Sequence, residues 1–77
     1  MDNQVIRVNR PDGRPTACDI MWGNIVLTFA IVKGKIRVIG RSSPSAQVYD
    51  PHNLEVPDRA FHDMFRRACA ILREGKN

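Results

Sequence analysis

The side chains able to do chemistry in this 77-residue chain are few and scattered. Two cysteines, Cys18 and Cys69, and two histidines, His52 and His62, make up the soft-ligand inventory. Zinc modules bring such ligands in close pairs, C-x2–4-C or H-x3–5-H, so that one turn presents two donors at once. No such pair occurs, and no metal site or cofactor is expected. Ser42, Ser43 and Ser45 fall in the Pro-punctuated stretch "SSPS", where serine serves turns by bonding nearby backbone. There is no GxSxG, no Walker-type glycine loop and no paired-carboxylate spacing. A core this small also holds a preorganised site poorly, so no catalytic residue is assigned and the chain is read as a non-enzyme.

The remaining chemistry is charge. Twelve Lys and Arg stand against eight Asp and Glu, a net +4 with a pI near 9.7. Such a balance favours an anionic partner, nucleic acid or an acidic protein. "VKGKIRVIGR", Val32 to Arg41, carries four of those twelve cations: Lys33, Lys35, Arg37 and Arg41. On a strand, Lys35, Arg37 and Arg41 alternate and are expected to project together over roughly 20 Å, able to meet successive anions. Arg7 or Arg10 is expected to join them from a neighbouring strand. A second row, Arg59, Arg66 and Arg73 at seven-residue spacing, falls on one side of the C-terminal helical pattern, with His62 beside it. Single-strand readers interleave stacking aromatics with such cations; here Trp22 and Tyr49 are the only candidates, at strand ends. Ile39 within the basic row suits a protein surface better than phosphates alone.

The elements that must position these residues follow from local pattern. "VIRV" is a short β-branched strand, and "RPDGRP" after it is a turn in which Pro11 presets φ and Gly13 accepts positive φ. "TACDIMW" reads as a second strand ending before "GN", and "NIVLTFAIV" as a third. "VKGKI" is a tight hairpin with Lys33 and Gly34 central. The expected register pairs Val32 with Lys35, Ala30 with Arg37 and Thr28 with Ile39 on one face. Ile31 with Ile36, Phe29 with Val38 and Leu27 with Gly40 share the other. The core face is then Ile25, Leu27, Phe29, Ile31, Ile36 and Val38. The outer face is Thr28, Ala30, Val32, Lys35, Arg37, Ile39 and Arg41. In the connector, "AQVY" is expected to add a short edge strand.

"DRAFHDMFRRACAILREG" is helical. Pro57 suits its first turn, Asp58 complements the positive helix end, and Gly75 stops it. At 100° per residue, Phe61, Met64, Phe65, Ala68 and Leu72 form the apolar stripe, with Ile71 at its edge. Asp63 is placed to pair with Arg66 or Arg67. Cys69 falls at the stripe's boundary, partly exposed, where oxidation could link two chains through an intermolecular disulfide.

The expected architecture is α+β: an antiparallel sheet of three to five strands with one C-terminal helix packed across one face. A single domain covers 1–77, with a β-hairpin region over 1–41, a connector over 42–56 and the helix over 57–74. Charge follows these blocks. Residues 1–41 hold seven basic and three acidic side chains, residues 42–58 only Asp50, Glu55 and Asp58, and residues 59–77 five basic and two acidic. Two isolated thiols point to a reducing compartment. Neither a signal peptide nor the roughly 20 apolar residues of a membrane helix is present. A cytoplasmic protein, beginning at Met1 as the full product of a small gene and existing as a monomer or weak homodimer, is the expectation.

Two resemblances accompany these features. "VKGKIRVIGRSSPSAQVY" resembles the carbon-storage-regulator type of RNA-binding protein, in which a "VKG"-type turn leads to an "RIG" strand. That likeness covers under a quarter of the chain, has Ser-Ser-Pro where Asn-Ala-Pro is usual, and is read as convergent hairpin chemistry. In overall format, β-hairpins "NIVLTFAIVKGKIRVIGR" followed by one helix, the whole chain resembles the small phage- or mobile-element-encoded inhibitors of host defence, anti-CRISPR proteins among them. The resemblance rests on no shared motif, and many members of that group are acidic where this chain is basic, which disfavours DNA mimicry. It implies an inhibitor in the host cytoplasm that binds a nucleoprotein effector, a CRISPR complex for example, and blocks its access to target DNA. Lys33, Lys35, Arg37 and Arg41, with Arg59, Arg66 and Arg73, would carry the contact. The alternative is direct DNA or RNA binding by a basic accessory protein or regulator.

Overall fold

Among the described residues, three antiparallel hairpin connections build a four-stranded sheet in the order β1-β2-β3-β4, and one helix crosses one side of it. The computed structural model describes residues 2–42 and 56–75. The strands are β1 (Asn3–Asn9), β2 (Ala17–Trp22), β3 (Ile25–Val32) and β4 (Lys35–Ser42), and the helix is α1 (Asp58–Glu74). The α+β class expected from the pattern is what the chain adopts. The edge strand expected in "AQVY" lies outside the described residues.

Turn chemistry fixes the hairpins. Gly23 has φ 62 and directly precedes Asn24 in the two-residue β2–β3 turn. In the β3–β4 turn both central residues have positive φ, Lys33 at 52 and Gly34 at 79. That is the type I′ signature, whose twist matches the flanking strands. The β1–β2 connection is longer and closes with the Thr16 N–H donating to the Asn9 carbonyl at 2.9 Å.

Alternation then sorts the side chains. Cys18, Ile20, Ile25, Leu27, Phe29 and Ile36 from the sheet meet Met64, Ala68, Ile71 and Leu72 from the helix in one buried cluster. Phe29 is its largest member, and its ring lies 6.1 Å from Phe61 and 6.3 Å from Phe65. Pro57 takes the N-cap position, the Phe61 N–H donates to its carbonyl at 2.8 Å, and Gly75 ends the helix in the left-handed conformation.

Several side chains depart from the pattern their sequence predicts. Ile71 is fully buried at the centre of the helix stripe, while Phe61 and Phe65 are half-buried on its flank. The helix is rolled so that Met64, Ala68 and Ile71 meet the sheet and the two rings lean onto Phe29 from the side. Ile31, expected in the core, is 42% exposed. Its ladder row ends beside it: β2 begins only at Ala17, and the Ile31 N–H reaches the Thr16 carbonyl of the loop at 3.3 Å. Ala30, expected on the outer face, is buried although it pairs with Arg37.

Register departs as well. Val32 with Lys35, Ile31 with Ile36, Ala30 with Arg37 and Phe29 with Val38 pair as expected. Beyond Val38 a β-bulge intervenes, so Thr28 faces Gly40 rather than Ile39, and Leu27 faces Arg41 rather than Gly40. One extra residue reverses the alternation of everything after it. A Cβ built on Gly40 would lie 3.6 Å from the Thr28 Cβ, which places Gly40 on the side turned away from the helix.

Candidate functional site: a basic end and an open sheet face

The antiparallel topology brings the β1–β2 loop and the β3–β4 turn to the same end of the sheet. Among the described residues, that end collects Arg10, Arg14, Lys33, Lys35 and Arg37, against one acidic side chain, Asp12. All six are exposed. Five cations against one acid leave +4 here, equal to the net charge of the whole chain. Such a concentration focuses the positive field on one end rather than spreading it over the surface. The expected contact residues Lys33, Lys35 and Arg37 are therefore brought together, and Arg10 and Arg14 join them through the neighbouring connection.

Arg41 is not part of this group. The bulge at Ile39 turns it to the helix side opposite Leu27, half-buried and at the far end of β4. The expected continuous row of Lys35, Arg37 and Arg41 does not form. Nor does Arg7 sit beside that row: among the described residues β1 and β4 are the two edges of the sheet, with β2 and β3 between them. Arg7 instead faces Asp19 on the open side.

Arg59, Arg66 and Arg73 are all exposed on the helix, as the spacing predicts, and so is His62. They alternate with Asp58, Asp63 and Glu74, also exposed, so this surface is far closer to neutral than the basic end. Arg67 ties the helix to edge strand β1. Its Nη1 donates to the Asn3 carbonyl at 2.9 Å and to Asn3 Oδ1 at 2.7 Å. Of the pairings expected for Asp63, the one with Arg67 competes with that contact.

The open side of the sheet has small residues at its centre. The register sets Arg37, Ala30, Ala17 and Asn9 in one row across it, and Gly40, Thr28, Asp19 and Arg7 in the next. Thr28 Oγ1 donates to Asp19 Oδ1 at 2.6 Å. Beside this pair is an open depression of about 300 Å³ lined by Arg7, Asn9, Ala17, Cys18, Asp19 and Thr28. Asp19 does not stand out in the sequence. Its only signal there is an alternating position in "TACDIMW", and the β2–β3 register is needed to set it beside Thr28. No aromatic side chain among the described residues belongs to this face: Trp22 pairs with Ile25 on the helix side, and the three phenylalanines pack together there. Tyr49, the other stacking candidate, and His52 lie outside the described residues.

Among the described residues, large apolar side chains are also exposed. Ile6, Ile31 and Ile39 are 52%, 42% and 51% exposed. Ile6 is the bulge residue of β1 beside Arg7, and Ile39 the bulge residue of β4 between Arg37 and Arg41.

The two cysteines have opposite surroundings. Cys18 is buried in the core, where desolvation, reinforced by the Asp19 charge, pushes its thiol up to about 11. Cys69 is half-exposed, as its place at the stripe boundary predicts, and shares a surface depression with His62. Seven residues of helix separate the two by roughly 10 Å along the axis, too far for proton exchange between thiol and imidazole. Among the described residues no group of three or more His, Cys, Asp and Glu could hold a metal ion. No helix among them is long and apolar enough to cross a membrane. Comparison of the chain with protein-family models, with curated proteins and with solved structures returns no significant match.

Proposed function

We propose that this protein acts by binding alone, as an inhibitor of the anti-CRISPR type, which captures a host nucleoprotein defence effector in the cytoplasm and blocks its access to target DNA. The observation that carries the proposal is the basic end, where Arg10, Arg14, Lys33, Lys35 and Arg37 gather around two turns with a single acid among them. A type I′ turn fixes the backbone that carries Lys33 and Lys35, so little backbone order is lost when they meet a partner. Ile39, exposed at the bulge two residues beyond Arg37, and Ile31, exposed on the helix side of the same end, favour an acidic protein surface on the effector over bare phosphate. Apolar contact adds nothing to counterion release, whereas it strengthens a protein interface whose rim is charged. Lack of a stacking aromatic among the described residues of the open face points the same way.

A competition assay tests this. An effector complex loaded with its guide RNA is mixed with labelled target duplex, and the protein is titrated in. Wild type is expected to displace the duplex, and the Lys35→Glu/Arg37→Glu double variant to lose most of that effect while retaining its fold. Equal inhibition by both proteins would remove the basic end from the mechanism. The direct nucleic-acid reading predicts a different outcome: a mobility shift with bare DNA or RNA that weakens steeply between about 50 and 200 mM salt.

A further inference from the structure

We propose that the depression beside Asp19 is a socket for one cationic side chain, lysine or arginine, of the partner protein; this rests on the reading of the basic end as a protein-binding surface. A face meant only for an anion would keep carboxylates out of its middle. Here Asp19 stands near the centre of the open side, on the inner strand β2. Toward β3 and β4 its surroundings are Ala17, Ala30, Thr28 and Gly40, all small, so on that side the carboxylate borders a hollow, while Arg7 faces it from β1.

The Thr28 hydroxyl holds Oδ1 at 2.6 Å and fixes the carboxylate's orientation. A carboxylate has roughly four acceptor sites, so one hydroxyl leaves capacity for a guest's donors. The hollow, about 300 Å³, admits a lysine or arginine head group but is open enough for its stem to enter from above. Asn9 offers an amide at the wall, and Arg7 stands on the rim at the opposite sheet edge from Arg37. The partner that fits is thus an acidic segment with one basic residue within it: its acids meet Arg7, Lys35 and Arg37, and its cation meets Asp19. Like charges brought together in the wrong register are penalised on both counts, so the arrangement gives selectivity as well as attraction. A nucleobase amine could also donate to a carboxylate, but the described residues of this face include no aromatic ring to stack the base.

Amide chemical shifts of the isotope-labelled protein test the socket with defined probes. Two short peptides of aspartate and glutamate are compared, one with a central lysine and one with glutamine there, together with a cytosine-rich oligonucleotide. The lysine peptide is expected to shift the amides of Ala17, Asp19 and Thr28 as well as those of Lys35 and Arg37. The glutamine peptide is expected to shift only the latter and to bind about two- to fivefold more weakly. Asp19→Asn, which keeps the shape and an acceptor for Thr28, should erase the difference between the two peptides. Equal shifts at Asp19 from both peptides, or an undiminished preference for lysine in Asp19→Asn, would overturn the socket. Shifts at Asp19 from the oligonucleotide and not from the lysine peptide would overturn it in favour of a base. If neither peptide moves Lys35 or Arg37, it is the reading of the basic end that fails.

Discussion

Cys18 and Cys69 are the same functional group in opposite surroundings, and they should behave differently. Cys18 is buried, with its thiol pushed up to about 11 from an ordinary 9.0. In the folded protein it keeps a proton that the unfolded chain releases above about pH 9. Its contribution to stability is therefore whole below pH 9 and is lost as pH rises through 11. Cys18→Ala starts from lower stability, yet is expected to lose less of it between pH 9 and 11 when urea midpoints are compared at each pH. Under native conditions at pH 8 a thiol reagent should label Cys69 and leave Cys18 until the chain unfolds; labelling of both at equal rates would contradict the burial. With oxidised glutathione as oxidant, any covalent dimer should run through Cys69 and disappear in Cys69→Ser.

The hairpin and the helix set what each residue faces. Ile71→Ala removes a fully buried side chain from the helix–sheet interface and is expected to cost about 2–5 kcal/mol in urea denaturation. Arg66→Ala on the exposed side should stay within about 0.5 kcal/mol of wild type. Gly34 at φ 79 needs a conformation that penalises a Cβ, so Gly34→Ala is expected to cost about 1–2 kcal/mol. Among the described residues the edge strands are β1 and β4, and both carry a bulge, at Ile6 and at Ile39. Bulges and edge cations such as Lys35 and Arg37 oppose strand addition by a second chain, so sedimentation in reductant should show a monomer. The strands, the turns and the helix bounds are legible in the sequence because β-branched runs, Gly-containing turns and the Pro57 to Gly75 frame are local signals. The bulge at Ile39 is not, since nothing local distinguishes "RVIGR" in regular pairing from "RVIGR" with one residue extra. That single shift moves Arg41 to the other side of the sheet. Ile71 escapes the sequence pattern for a related reason: a helical stripe gives its average direction, and the docking of Phe61 and Phe65 against Phe29 decides the roll.

Across the whole molecule, charge distribution matters more than charge total. Along the sequence, the blocks of charge form two comparable positive regions. The fold concentrates Arg10, Arg14, Lys33, Lys35 and Arg37 at one end, while the helix surface interleaves Arg59, Arg66 and Arg73 with acids. The sequence pattern offers Arg7 or Arg10 as a neighbour of Lys35 and Arg37; strand order selects Arg10 and adds Arg14. The two surfaces are therefore unequal: reversing Lys35 and Arg37 should abolish capture of the partner, and reversing Arg59, Arg66 and Arg73 should weaken it far less. The most direct test is affinity capture from a host lysate treated with nuclease, using wild type and these two variants side by side. The prediction is a defined complex that survives nuclease, is retained by the helix variant and is lost with Lys35→Glu/Arg37→Glu. Capture that vanishes on nuclease treatment, or that is unchanged by the Lys35→Glu/Arg37→Glu reversal, would contradict it.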